Sequence, residues 1–237
     1  MQTQQAWNLD GVKEELKALI RIPSVTGGES AISQHIFARL KQIGADYVEK
    51  QVVEEGRYNI VARIQGASPG KRILLTGHMD TVAPGDGWTT KPFEPVEREG
   101  KIFGRGANDM KAGIAVIIQT AATVAAHRQQ FSGTLEIAFV CDEEAYSKGM
   151  RRYMETNPTA DFCIAAEPEF ATMQIGACGK ILIRACAHGQ SAHAAQPEKG
   201  INAIEEMGRL LGSLQDIPLH SHPAMAGQPY VTLQASG

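Results

Sequence analysis

Four places along the chain carry side chains able to hold a cation. Leu74-Leu75-Thr76-Gly77 runs into His78-Met79-Asp80, and the apolar run from Leu135 to Cys141 runs into Asp142-Glu143-Glu144. The run from Phe162 to Ala166 ends in Glu167-Pro168, while Asp109 closes Gly104-Arg105-Gly106-Ala107-Asn108-Asp109 just before a long apolar-periodic segment. Carboxylates brought together repel one another, and the cost grows as solvent is excluded. A bound cation removes that repulsion, and imidazole with Asp and Glu is a ligand set suited to zinc and its neighbours. The chemistry these residue types imply is metal-dependent hydrolysis.

The intervening segments show how such groups could converge. Val12, Leu16, Leu19 and Ile20 mark a first helix, and Ile32, Ile36, Leu40 and Ile43 a second that stops at Gly44. Residues 47–53, 59–64 and 72–76 read as strands separated by the Glu54-Glu55-Gly56 and Ser68-Pro69-Gly70 turns. Residues 84–100, rich in Gly and Pro, read as a loop beside the site. Met110, Ile114, Ile117, Ile118, Ala121, Ala122 and Ala125 recur at helical spacing, which places Asp109 at a helix N-terminus where the local dipole favours an anion. Helices alternating with short, nearly all-apolar strands predict an α/β fold, its sheet largely parallel and covered by helices. Ligands in such folds bind beyond the carboxyl ends of the strands, where His78, Glu143 and Glu167 are expected.

The character changes after Gly176. Ile181, Ile183, Ala185 and Ala187 alternate with Leu182, Arg184, Cys186 and His188 as in a strand, and Ile201, Ile204, Gly208 and Leu211 follow at helical spacing. The expected division is residues 1–175 for the metal-binding domain and 176–237 for a smaller α+β domain. A net charge of -3 over 237 residues gives no sign of a nucleic-acid or membrane partner. No basic N-terminal region followed by an apolar core is visible, and four cysteines without Cys-x-x-Cys spacing read as reduced thiols, so a cytoplasmic protein is expected.

Taken in order, His78-x-Asp80, the Gly104–Lys111 motif, Asp142-Glu143-Glu144 and Glu167-Pro168 resemble the M20 family of metallopeptidases and amidohydrolases. The segments Gly189-Gln190-Ser191-Ala192-His193 and Gly200-Ile201-Asn202-Ala203-Ile204 resemble that family's lid, or dimerisation, domain. The resemblance implies a zinc-peptidase-type catalytic domain and two divalent ions, zinc first, with cobalt or manganese as alternatives. It makes His78 and Glu167 ligands of one ion, Glu144 a ligand of the other, and Asp109 the bridge. Asp80 would hold the His78 ring in its metal-binding tautomer, and Glu143 would be the general base for a water activated between the ions. His193 would reach into a neighbouring subunit's site to meet the oxyanion, in a homodimer built through the lid.

The implied substrate is a small N-acyl-amino acid or a short peptide cleaved at an amide bond. The alternatives are a dipeptidase or carboxypeptidase of the same family, or a non-catalytic metal-binding or dimerisation fragment. This last option arises because the resemblance implies a further histidine ligand, past Gly237, and a chain truncated at its C-terminus. Glu169 is an alternative to Glu167, and His220 and His222 read as solvated loop residues rather than a chelating pair.

Overall fold

The computed structural model describes residues 8–157, 159–168, 173–176, 181 and 183–218. Helix α1 (Leu9–Ile20) starts at Asn8, whose side chain accepts the Gly11 N–H, and buries Val12, Leu16, Leu19 and Ile20. Helix α2 (Ser30–Ile43) ends where Gly44 takes a left-handed conformation at φ 82°, which a Cβ would oppose. Strands β1 (Tyr47–Glu54) and β2 (Arg57–Gln65) form an antiparallel hairpin, and β3 (Ser68–His78) follows. β4 (Val96–Arg98) forms within the excursion expected as a loop and pairs antiparallel with β5 (Lys101–Phe103) just past it. Helix α3 (Ala112–Ala126), β6 (Ser132–Val140), α4 (Lys148–Thr156) and β7 (Phe162–Ala165) complete the first unit.

The main sheet runs β1-β2-β6-β3-β7. It is mixed: β6, β3 and β7 are mutually parallel, and the β1–β2 hairpin adds antiparallel strands on one side. Strand β6 is buried on both faces, which is why its apolar run shows almost no alternation. Ile137 and Phe139 join the core made with α1, α2 and α3, whereas Ala138 and Val140 pack with Val61, Leu74 and Tyr153 of α4. Residues 107–126 are long and apolar enough to cross a membrane by length alone, but Ile114, Ala115, Ile117, Ile118 and Ala121 lie in this core. Sequence reasoning did not anticipate α4, a short, strongly polar helix that buries little beyond Gly149 and Tyr153.

Contacts divide the chain into compact units at Met1–Pro168 and Glu169–Gly237. In the second, helix α5 (Ala203–Ser213) begins where the Asn202 side chain accepts the Ile204 N–H at 3.1 Å, as its periodicity predicts. The strand expected over residues 181–188 is not formed among the described residues; only the isolated Gln190–Ile201 bridge is present. Alternation marks two faces, but a strand also needs a ladder partner, and no described residue supplies one. Ile181 and Ile183 are each 85% exposed.

Candidate metal centre

The site lies along the carboxyl ends of the three parallel strands. β3 lies between β6 and β7, so groups that follow neighbouring strand ends begin about 4.8 Å apart. His78 is the last residue of β3, Glu143 and Glu144 follow β6, and Glu167 follows β7. Asp109 comes from the irregular turn 107–111 that leads into α3. Its backbone is extended rather than helical, and α3 becomes regular only at Ala112. The helix dipole expected to favour this anion therefore acts on it only weakly, since the carboxylate stands outside the first helical turn.

Ligand atoms of His78, Asp109 and Glu144 all lie within 4.8 Å of one another. His78 Nε2 is 2.9 Å from Asp109 Oδ1 and 3.8 Å from Glu167 Oε2. On the other side of the ring, Nδ1 donates to the main-chain carbonyl of Asp80 at 2.9 Å. A carbonyl can only accept, so this bond fixes the proton on Nδ1 and turns the Nε2 lone pair toward Asp109. Two lone pairs 2.9 Å apart are stable only with a proton or a metal ion between them.

Ionisation follows the same logic. Burial, then Asp109, pushes the Glu144 carboxyl above its ordinary range. Glu167 is pushed up by burial, relieved in part by His78 and reinforced by Asp109, Glu143 and Glu144. Burial disfavours a charged His78 ring, but Glu167, Asp80 and Asp109 outweigh it and hold the ring's pKa above 6.5. Extra protons supply the positive charge that the cluster lacks. The donor set of one imidazole with carboxylates fits a divalent ion of the zinc type.

Asp80 differs in detail from the expectation. Its carbonyl, not its carboxylate, holds the ring at hydrogen-bond distance; the carboxylate Oδ1 is 3.7 Å from Nδ1. The buried carboxylate instead accepts the backbone N–H groups of Glu143 and Glu144 at 3.0 and 3.1 Å and the Thr26 hydroxyl at 2.9 Å. One residue thus fixes both the imidazole and the backbone of the acidic pair.

Lys111, quoted in the motif but given no role from sequence, is fully buried and donates to the Leu19 and Ile22 carbonyls, anchoring the Asp109 turn to the end of α1. Burial lowers its pKa to about 8. Gly106, at φ 77°, leaves the space a Cβ would take from Thr81 and the Lys111 stem. His193 lies in the second unit, exposed, its Nδ1 accepting the Ala195 N–H. Glu169, Cys178, His220 and His222 lie outside the described residues. Cys141 is a buried thiol, whereas Cys163 and Cys186 are exposed.

The sequence pattern of peptidase family M20/M25/M40 matches residues 74–232. The chain belongs to this family. Succinyl-diaminopimelate desuccinylases of Sulfurovum sp. and Nitratiruptor sp. are 34% identical over 218 residues and 31% identical over 215 residues, covering 88% and 86% of this chain. In both comparisons the chain spans 57% of the relative's length. Among solved structures, the aminopeptidase PepT of Bacillus cereus shares the fold at a TM-score of 0.60 and 22% identity, over 90% of this chain and 57% of its own. A tripeptidase of Staphylococcus aureus does so at 0.59 and 22%, over 86% and 56%. Three of the M20 motifs quoted from the sequence thus follow the ends of β3, β6 and β7, and the Gly104–Lys111 motif forms the turn that carries Asp109 to them.

Proposed function

We propose that this chain supplies the metal ligands and general base of a hydrolase that cleaves an amide bond in a small N-acyl-amino acid. The observation that carries the reading is the Nε2 lone pair of His78 facing Asp109 at 2.9 Å, with a Glu144 oxygen in the same cluster. His78 and Glu167 would hold one divalent ion, Glu144 a second, and Asp109 both; zinc suits the set best, with cobalt and manganese as alternatives. Bound ions of this kind supply Lewis-acid polarisation and an acidified water at neutral pH.

The chain's own residues supply the rest. Glu143, next in sequence to a ligand and held by its backbone on Asp80, takes the proton from the attacking water and returns it to the leaving nitrogen. The His78 ring is kept in one tautomer by the Asp80 carbonyl, so it offers Nε2 without competing for that proton. The names of the curated relatives favour an N-succinyl amino acid within the N-acyl class. The second unit is read as a dimerisation module whose α5 exposes Ile204 and Leu211, with His193 serving a neighbouring subunit's site.

The test is Glu143→Gln, assayed on N-succinyl and N-acetyl amino acids beside di- and tripeptides. Turnover should fall by about two to four orders of magnitude while metal content stays unchanged. Undiminished turnover removes Glu143 from the role, and turnover of peptides alone replaces the acyl substrate with a peptide one.

A further inference from the structure

The acidic pair Glu143-Glu144 sits in a turn whose own support lies far away in sequence. Asp142, which opens the turn, is 2% exposed and left-handed at φ 69°. Its Oδ2 accepts the N–H groups of Tyr146 and Lys148, both at 3.2 Å, and its carbonyl accepts the Ser147 N–H at 2.6 Å. Its Oδ1 receives the Arg57 guanidinium at 2.9 Å. Arg57 also donates through Nε and Nη2 to both oxygens of Glu29, a fully buried acid at the start of α2. Such a two-pronged bond fixes the guanidinium plane as well as its position.

We propose that Arg57, gripped by Glu29, is the positioning residue that orders the turn presenting Glu143 and Glu144 to the metal centre, an inference that rests on the metal reading above. A carboxylate has two oxygens, and Asp142 spends one on Arg57 and the other on the turn's N–H groups. The turn is therefore fixed from inside by Asp142, from one end by Asp80, and to the body of the sheet by Arg57. Arg57 touches neither a proposed ligand nor a substrate; it acts through Asp142 and, at 2.9 Å from Nη1, through Glu54, whose other oxygen takes the Lys148 ammonium at 2.6 Å.

Amide hydrogen exchange of the metal-free chain reads the turn directly. In Arg57→Met the Tyr146 and Lys148 amides should exchange about tenfold faster or more, as expected when a buried charge-assisted bond is lost. Amides of β3 should keep their rates. Asp142→Asn is the second variant, for use if Arg57→Met does not fold. Asn tolerates the left-handed backbone, but its single oxygen cannot serve both Arg57 and the turn, so the same two amides should be released.

Cobalt(II) added to the wild-type chain tests the metal reading on its own: if its d–d absorption neither shifts nor intensifies relative to the aqueous ion, that reading falls, and the exchange result still decides whether Arg57 orders the turn. Where the wild type binds, Arg57→Met should weaken cobalt binding by about tenfold. Arg57→Lys should recover part of the loss, because one ammonium cannot span the carboxylates of Glu29, Glu54 and Asp142 as the guanidinium does. Wild-type exchange rates at Tyr146 and Lys148 in folded Arg57→Met, or in Asp142→Asn where Arg57→Met does not fold, or unchanged cobalt affinity in Arg57→Met, would overturn the proposal.

Discussion

His78 shows how one side chain couples the backbone to the metal chemistry. Its raised pKa stabilises the metal-free fold while the ring is protonated, and that contribution is lost as pH rises above 6.5 through the folded value. Glu144 and Glu167, pushed up from 4.5, act in the same direction: the fold loses stability as they ionise. The metal-free chain should therefore weaken from acid toward neutral pH, and a divalent ion should restore it by displacing those protons. Calorimetric titration with zinc in two neutral buffers of different ionisation enthalpy should give different apparent heats, reporting proton release. Identical heats would mean that the cluster was never protonated. That His78, Glu144 and Glu167 share one end of the sheet was legible because each follows a short apolar run; their roles as ligands came from the family resemblance. Arg57 and Glu29 were not legible, since the partner that gives them a role, Asp142, is remote in sequence from both.

At the scale of elements, α3 packs closely against the extension of β7 that leads to Glu167. A Cβ on Gly113 would lie 2.3 Å from the Ala166 carbonyl oxygen, immediately before Glu167. Helix propensity alone would make Gly113→Ala stabilising by about 1 kcal/mol. The clash is with main chain, which cannot swing aside, so overpacking should win and destabilise by roughly 1–3 kcal/mol. Denaturant unfolding gives the sign, and a stabilised variant would show that α3 can move away. Helices α1, α2, α3 and α5 could be read from periodicity because each buries or gathers a long apolar stripe. Helix α4 could not, as Tyr153 is its one large fully buried side chain. The segment 181–188 carried the reverse lesson: a strand-like pattern names two faces but not a neighbour.

At the scale of the whole molecule, the first unit buries charge on the sheet face away from α1 and α2. Glu136, inside the apolar run of β6, is fully buried and bonded to Arg63, Arg72 and the Tyr153 hydroxyl. Burial raises its pKa, but these three partners outweigh that and hold the carboxyl below 4.5. An acid so depressed contributes stability above its unfolded pKa and loses it as pH falls through the folded value. Glu136→Gln should cost about 1–3 kcal/mol at neutral pH and flatten the loss of stability below pH 4.5. An acid-unfolding curve parallel to the wild type would place the acid-sensitive groups elsewhere. The α/β class and the strand-end location of the acids followed from sequence. The β1–β2 hairpin was implicit in two strand-like runs around a tight turn, but its place beside β6 was not, because local patterning does not encode strand order.

The order β6-β3-β7 also sets when an ion could arrive. His78 and Glu144 meet only after the crossover through residues 79–131 has closed, and Glu167 joins only after residues 141–161 have brought β7 alongside. A chain caught halfway offers an incomplete grip, too weak to repay the loss of a hydrated ion's water. Metal would act here as a seal on a finished structure rather than as the mould in which it is cast.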